Sequence, residues 1–337
     1  MVNIFEHHTS SHCENGVTAN LLLYYGYELS EPMIFGLSAS LFFVHLPWVE
    51  MNGFPVTSFR PLPGMIFTRA ARALGFGVRK EYFLTKSGAM RKLDNLLAQS
   101  IPVGAIADTY YLPYMPEAYH FHFKVHSLCV IGKEDGEYII SDPLVPTKTK
   151  ISESDLLKGR YERSLHLPMG ELYWVRSLPR KNPDLEKLIP GVIQKNCSRM
   201  LNERGVLRCS GVDGIDYLSE KIPALPGLYG KRKAGLFLLQ FVRTTEELGT
   251  GGAGFRFIYA SFLKEAADIT GINDLHEFSV RMNDIADDWR ELCALASRIY
   301  KDRTSDNESY LTLGQKLHEI ARKEKQFFTD LKNCLNS

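Results

Sequence analysis

No two of the six cysteines, Cys13, Cys129, Cys197, Cys209, Cys293 and Cys334, stand at C-x-x-C spacing. That excludes the usual pattern of a structural zinc site and of a dithiol redox motif. An even cysteine count makes no disulfide framework in a chain of 337 residues, since such frameworks belong to small secreted domains. Reduced thiols and a cytoplasmic setting are therefore expected. Charge of one sign is missing too. The 40 basic residues against 39 acidic ones leave a net charge of +1, without the basic excess of a nucleic-acid binder. Long apolar runs are also lacking. The longest, Ile34 to Trp48, is broken by Gly36, two serines, His45 and Pro47, well short of the ~20 residues that cross a bilayer. The first twelve residues are mostly polar and rich in histidine, so no secretory leader is expected there. Neither nucleic acid nor membrane is an expected partner, and there is no internal repeat or low-complexity stretch.

What remains is an ordinary globular composition, 45% hydrophobic and 23% charged, long enough for two domains with a sizeable core. The first half alternates short helical and extended patterns. A helix is expected from His12 to Tyr25, a short one starting at Ser30-Glu31-Pro32, and others over Pro63–Leu74 and Ser87–Gln99, the last from its apolar spacing at Met90, Leu93, Leu96 and Leu97. Strands are expected over Ile101–Asp108, Phe121–Ile131, Glu137–Ser141 and Glu171–Val175. Asp135-Gly136 is a strong hairpin signal between the middle two. Ser177 to Asp184, with two prolines and Arg180-Lys181, reads as a linker. Beyond it the apolar period is helical to the end, with the last two helices patterned for an antiparallel bundle. The expected domains are 1–180 and 185–337.

The chemistry-bearing pattern is Ser10-Ser11-His12-Cys13-Glu14 opening onto the apolar run Val17 to Tyr25, then His126, then Asp142-Pro143. A thiol attacks well only as a thiolate, which a helix N-terminus and a nearby imidazolium both favour. Ser11 to Glu14 reads as a capping box with Ser11 as N-cap, which would place Cys13 at the second helical position. His126 would take the thiol proton, and Asp142, across the hairpin, would orient the imidazole. Taken singly these residues have plain structural readings: a small buried thiol, a satisfied strand histidine, an Asp-Pro turn. Together, in this chain order, they form a papain-like nucleophile set: Cys13, His126 and Asp142 as catalytic candidates on an α+β fold, followed by an all-α helical domain.

At these residues the chain resembles the butirosin-biosynthesis acyltransferase family, itself similar to papain-like peptidases that trim bacteriocin leaders. The resemblance rests on His8 to Glu14, Ala19 to Gly26, Leu29 to Leu37, His126 to Gly132 and Asp142-Pro143. It continues through Gly249 to Gly252, Phe255-Arg256, Tyr259, Phe262-Leu263 and Glu265-Ala266, which look like the helical domain fused behind it. The resemblance implies transfer of an acyl or aminoacyl group from a carrier-protein thioester, through a Cys-linked intermediate, onto an amine in natural-product biosynthesis. It implies an acyl or peptidyl carrier protein and a small amine acceptor as partners. No cofactor is implied beyond the phosphopantetheine that carries the substrate, and homo-oligomer formation stays open. The alternative with the same set is a cysteine peptidase or amidase; a carrier-binding scaffold without catalysis is a third class, against which the intact set argues. One departure concerns the oxyanion: peptidase relatives often place a glutamine six residues before the cysteine, where this chain has His7.

Three further features have functional readings. His120, His122 and His126 alternate with Phe121, Phe123 and Val125 and are expected on one strand face, His120 or His122 being a fallback base; no ligand set for a metal is completed. Tyr110-Tyr111-Leu112-Pro113-Tyr114 reads as a substrate wall or as a packed surface turn. Gly249 to Gly254 lacks the lysine of a phosphate loop; it reads as a helix-entry turn or, with Arg256, as an anion cradle.

Overall fold

The computed structural model describes residues 4–51, 53–161, 170–203, 205, 208–304 and 309–336. The chain runs through α1 (Cys13–Tyr24), α2 (Glu31–Leu37), β1 (Val44–Met51), β2 (Phe54–Ser58), α3 (Met65–Ala73), β3 (Gly77–Glu81) and α4 (Lys86–Leu97). Then come β4 (Val103–Ala107), β5 (His126–Glu134), β6 (Glu137–Ser141), β7 (Thr149–Ile151), α5 (Glu153–Tyr161) and β8 (Leu172–Ser177). Helices α6 (Leu185–Met200), α7 (Gly211–Lys221), α8 (Leu225–Val242), α9 (Arg256–Thr270), α10 (Asp274–Tyr300) and α11 (Tyr310–Cys334) follow.

Two compact units result: Met1–Ile34 with Leu62–Pro183, and Phe35–Pro61 with Asp184–Ser337. The expected linker thus ends at the boundary between Pro183 and Asp184. The excursion of residues 35–61 is not visible in a linear reading. Its cause is aromatic packing: Phe35 stacks on Phe255 at 5.0 Å, and Phe59 meets Trp289 edge-on at 5.4 Å.

The first unit is built on an antiparallel sheet in the order β3-β8-β4-β5-β6-β7. The β5–β6 hairpin turns at Asp135 and Gly136, both at positive φ (51° and 84°), the pairing that a two-residue turn between twisted strands requires. One face of the sheet carries Val103, Ala105, Leu128, Val130 and Ile140 into a core with Leu93 and Leu96 of α4 and Leu156 of α5. Toward the other face, Gly104 leaves room for the Tyr173 ring, which stands 2.0 Å from where a Cβ would sit. Helix α1 packs on β5. A helix that starts at a cysteine, laid on an antiparallel sheet that carries a histidine, is the papain-like α+β arrangement.

The second unit is helical apart from the β1–β2 hairpin. Helix α6 starts five residues earlier than Pro190 suggests, from an Asp184 N-cap that accepts from Lys187 N–H. Pro190 is accommodated inside the helix rather than opening it. Helices α9, α10 and α11 pack in succession, and among the described residues no helix is long and apolar enough to cross a membrane. Among the described residues no disulfide is formed.

Candidate active site

Helix α1 begins at Cys13, with His12 as its N-cap: His12 Nδ1 accepts from Asn15 N–H at 3.3 Å. The capping box expected from Ser11 and Glu14 is not formed, and Cys13 takes the first helical position rather than the second. Glu14 turns inward instead, and its Oε1 accepts the Ile66 and Phe67 N–H groups, at 2.8 and 3.3 Å, in the first turn of α3. The loop before Cys13 is held by Glu31, whose carboxylate takes the N–H groups of Ser11 and His12, each at 2.8 Å. Burial, above all, raises the Glu31 pKa, against the lowering effect of those hydrogen bonds. Local spacing pointed at the nearer acid; the acid that does the work is nearly twenty residues away.

The three expected side chains come together. His126 and Asp142 are fully buried and Cys13 nearly so. His126 Nε2 lies 2.6 Å from Asp142 Oδ2. An ionised carboxylate only accepts, so Nε2 carries the proton and Nδ1 is the nitrogen left to take one. Nδ1 is buried, with no oxygen or nitrogen partner among the described residues. Besides Asp142, the group acting on the ring is the Cys13 thiol. Burial is the largest single influence on the imidazole and disfavours its charge. The Asp142 charge and hydrogen bond, joined by Cys13, outweigh it, and the His126 pKa is raised. An upward shift of this kind favours the imidazolium form, the partner that a cysteine thiolate needs.

Asp142 is itself anchored. Its Oδ1 accepts Leu144 N–H at 3.0 Å, and Oδ2 accepts the Tyr114 hydroxyl at 3.0 Å as well as His126. The Asp142-Pro143 segment is drawn against the first turn of α1. Ser10 N–H donates to Pro143 O at 3.0 Å, and a Cβ on Gly16 would come within 2.5 Å of Pro143 Cβ and 2.7 Å of Ser10 Cβ. Gly16 is thus a close-approach glycine inside a helix, where glycine otherwise costs about 0.5–1 kcal/mol relative to alanine.

Several expectations are corrected here. His7 is not placed as a ready oxyanion donor: its Nε2 donates to Val145 O at 3.0 Å, and its Nδ1 faces Ser141 Oγ at 2.8 Å. It clamps the chain on either side of Asp142. His120 and His122 do not share a strand face with His126, because β5 begins only at His126. His120 closes a short 3-10 turn. His122, half exposed, pairs with buried Asp108 (Nδ1 to Oδ2, 2.9 Å) and stacks on Tyr110 at 4.4 Å. Among the described residues no three His, Cys, Asp or Glu gather to hold a metal. Tyr114 leaves the proposed aromatic wall for the carboxylate of Asp142.

The glycine-rich loop is not an anion cradle either. Gly252 N–H is taken by Thr250 Oγ1 at 3.1 Å, Ala253 N–H by Glu246 Oε1 at 3.1 Å. Arg256 is fully buried against Glu324 of α11. Gly254 serves packing: it has φ +54°, and a Cβ there would lie 2.2 Å from the Phe59 ring.

A cysteine on the first helix, facing a histidine and carboxylate from adjoining strands of an antiparallel sheet, places the N-terminal unit among the papain-like cysteine enzymes. The chain belongs to the family described as Domain of unknown function (DUF4872), whose model matches residues 154–331. Its residues 12–143, ahead of that helical part, match the family model Butirosin biosynthesis protein H, N-terminal. Among solved structures, a C39-like peptidase from Bacillus anthracis is similar at 15% identity with a TM-score of 0.37, over 52% of this chain and 98% of that one. No curated protein matches the chain.

Proposed function

We propose that the protein is an amide-forming acyltransferase in natural-product biosynthesis. Cys13 attacks the carbonyl of a carrier-bound thioester, and its proton passes to His126 Nδ1. The tetrahedral intermediate collapses by expelling the phosphopantetheine thiolate, which takes a proton on leaving. An amine then attacks the Cys13 thioester, loses its proton to His126, and the amide departs as the thiol of Cys13 is restored. Asp142 keeps His126 in the tautomer this exchange needs. Backbone N–H groups of the first turn of α1 serve the oxyanion.

The observation that carries this reading is the buried Cys13–His126–Asp142 set within the segment that matches the butirosin family model. A cysteine residue only 5% exposed suits a donor delivered on a thin pantetheine arm better than a folded polypeptide, and a site that excludes water protects a thioester from hydrolysis. The partners on this reading are an acyl or peptidyl carrier protein and a small amine, in the cytoplasm.

The test is to load the enzyme with an acyl-pantetheine thioester and follow the adduct on Cys13 by intact-protein mass spectrometry. The adduct should persist for many minutes in buffer and vanish rapidly with an accepted amine, leaving an amide. Equally rapid decay in water, with no amide from any amine of a broad panel, would assign the protein to the hydrolases.

A further inference from the structure

Tyr114 stands out among the groups that no part of this chemistry has used. It follows the 3-10 turn Thr109–Tyr111 and is packed against the sheet core. Its hydroxyl reaches the same carboxylate oxygen as the histidine: 3.0 Å from Tyr114 and 2.6 Å from His126 Nε2 to Asp142 Oδ2. With Leu144 N–H on Oδ1 at 3.0 Å, a fully buried carboxylate holds three donors. We propose that Tyr114 is a positioning residue, which fixes the plane of the Asp142 carboxylate and withdraws part of its charge so that His126 can release a proton as readily as it takes one.

The need arises from the two halves of the transfer, and the inference rests on the reading of Cys13, His126 and Asp142 as the reacting set. Forming the thiolate favours a strongly basic imidazole. Attack by the amine requires the same imidazole to be neutral again, ready to accept. A carboxylate devoted wholly to His126 would hold the imidazolium too firmly for the second half. A phenol on the shared oxygen offsets this. Burial, then the Asp142 charge, hold the Tyr114 pKa well above the ordinary tyrosine value, so it stays a donor throughout. The other ionisable groups facing the pair are Cys13 from α1 and His7, which lies on Ser141 and Val145 beside Asp142.

The readout needs no substrate. The rate at which iodoacetamide labels Cys13 in the full chain is measured against pH by peptide mass spectrometry. In the wild type the acid limb reports thiolate formation beside imidazolium, and an alkaline step reports loss of the imidazolium proton. Tyr114→Phe keeps the ring and should leave the acid limb in place while moving the alkaline step up by about half to one pH unit, within the range that one altered hydrogen bond produces. Replacing Tyr114 with 3-fluorotyrosine, a stronger donor that retains every contact, should move the same step down. His126→Ala should collapse both features into a single ordinary thiol curve. Curves for both Tyr114 variants that superimpose on the wild type would overturn the proposal and leave Tyr114 a packing residue. A His126→Ala curve identical to the wild type would instead remove the reading of the reacting set, and the proposal with it.

Discussion

Cys13→Ala is expected to abolish both the covalent acyl adduct and turnover, a loss on the order of 10⁶-fold if the set works as a unit, as nucleophile and base do in serine proteases. The fold should survive, because the change removes one sulfur at the start of a helix capped by other residues. His126→Ala should match it, since without Nδ1 nothing takes the thiol proton, whereas His122→Ala, in a half-exposed loop pair with Asp108, should stay within several-fold of wild type. Asp142→Asn should cost up to about four orders of magnitude, as for the triad carboxylate of a serine protease. An amide there must turn its NH₂ either on His126 Nε2–H or on Leu144 N–H, donor against donor. Competing thiols are poorly placed to confuse the result: burial raises the pKa of Cys129, Cys197 and Cys293. The decisive measurement is the rate of alkylation per cysteine. Faster labelling of Cys129 or Cys197 than of Cys13 would dispose of the nucleophile assignment.

The candidate set Cys13, His126 and Asp142 was legible because each sits at a local signal: a polar turn before an apolar helix, a strand start, an Asp-Pro after a hairpin. Their supports were not. Glu31 holds the N–H groups of Ser11 and His12, but a carboxylate in the first turn of the next helix looks like any helix-start acid. Glu14 sits where a capping box wants it, yet two N–H groups of α3 compete more strongly than the helix's own. Tyr114 reads as one of a tyrosine cluster until the sheet brings Asp142 beside it. Alternation misled the histidine row because it assumed the strand extended back to residue 121, where the chain instead follows a turn organised by Asp108, which accepts the Tyr110 and Phe123 N–H groups at 3.1 Å each. Periodicity reports which face of an element is apolar. It does not report which distant element that face meets, which is also why residues 35–61 looked like part of the first domain.

In the second unit the largest stability effect is expected at Glu324. This carboxylate and Arg256 are both fully buried and form a bidentate pair, Nε to Oε1 at 2.9 Å and Nη2 to Oε2 at 3.0 Å. Trp289 Nε1–H adds a third donor at 2.7 Å, and the remaining Arg256 Nη1 donates to Gly254 O at 2.9 Å. The guanidinium also lies 4.7 Å from the Trp289 ring centre and 5.4 Å from that of Phe59. Such a pair contributes little over a well-packed apolar replacement, because both charges lost their water on folding. Breaking it is another matter. Glu324→Ala leaves a buried cation without its counter-charge and an indole N–H without its acceptor, and should destabilise the unit by about 3–5 kcal/mol, a large share of the ~5–15 kcal/mol typical of a domain. The double variant Arg256→Met with Glu324→Met should be markedly more stable than Glu324→Ala, since no charge remains to be stranded. Because the chain has two compact units, urea unfolding should be followed by a signal local to the second, such as Trp289 fluorescence with Trp48 and Trp174 replaced by phenylalanine. A Glu324→Ala midpoint unchanged from the parent would show that water reaches the guanidinium and that the pair is not the sealed one described.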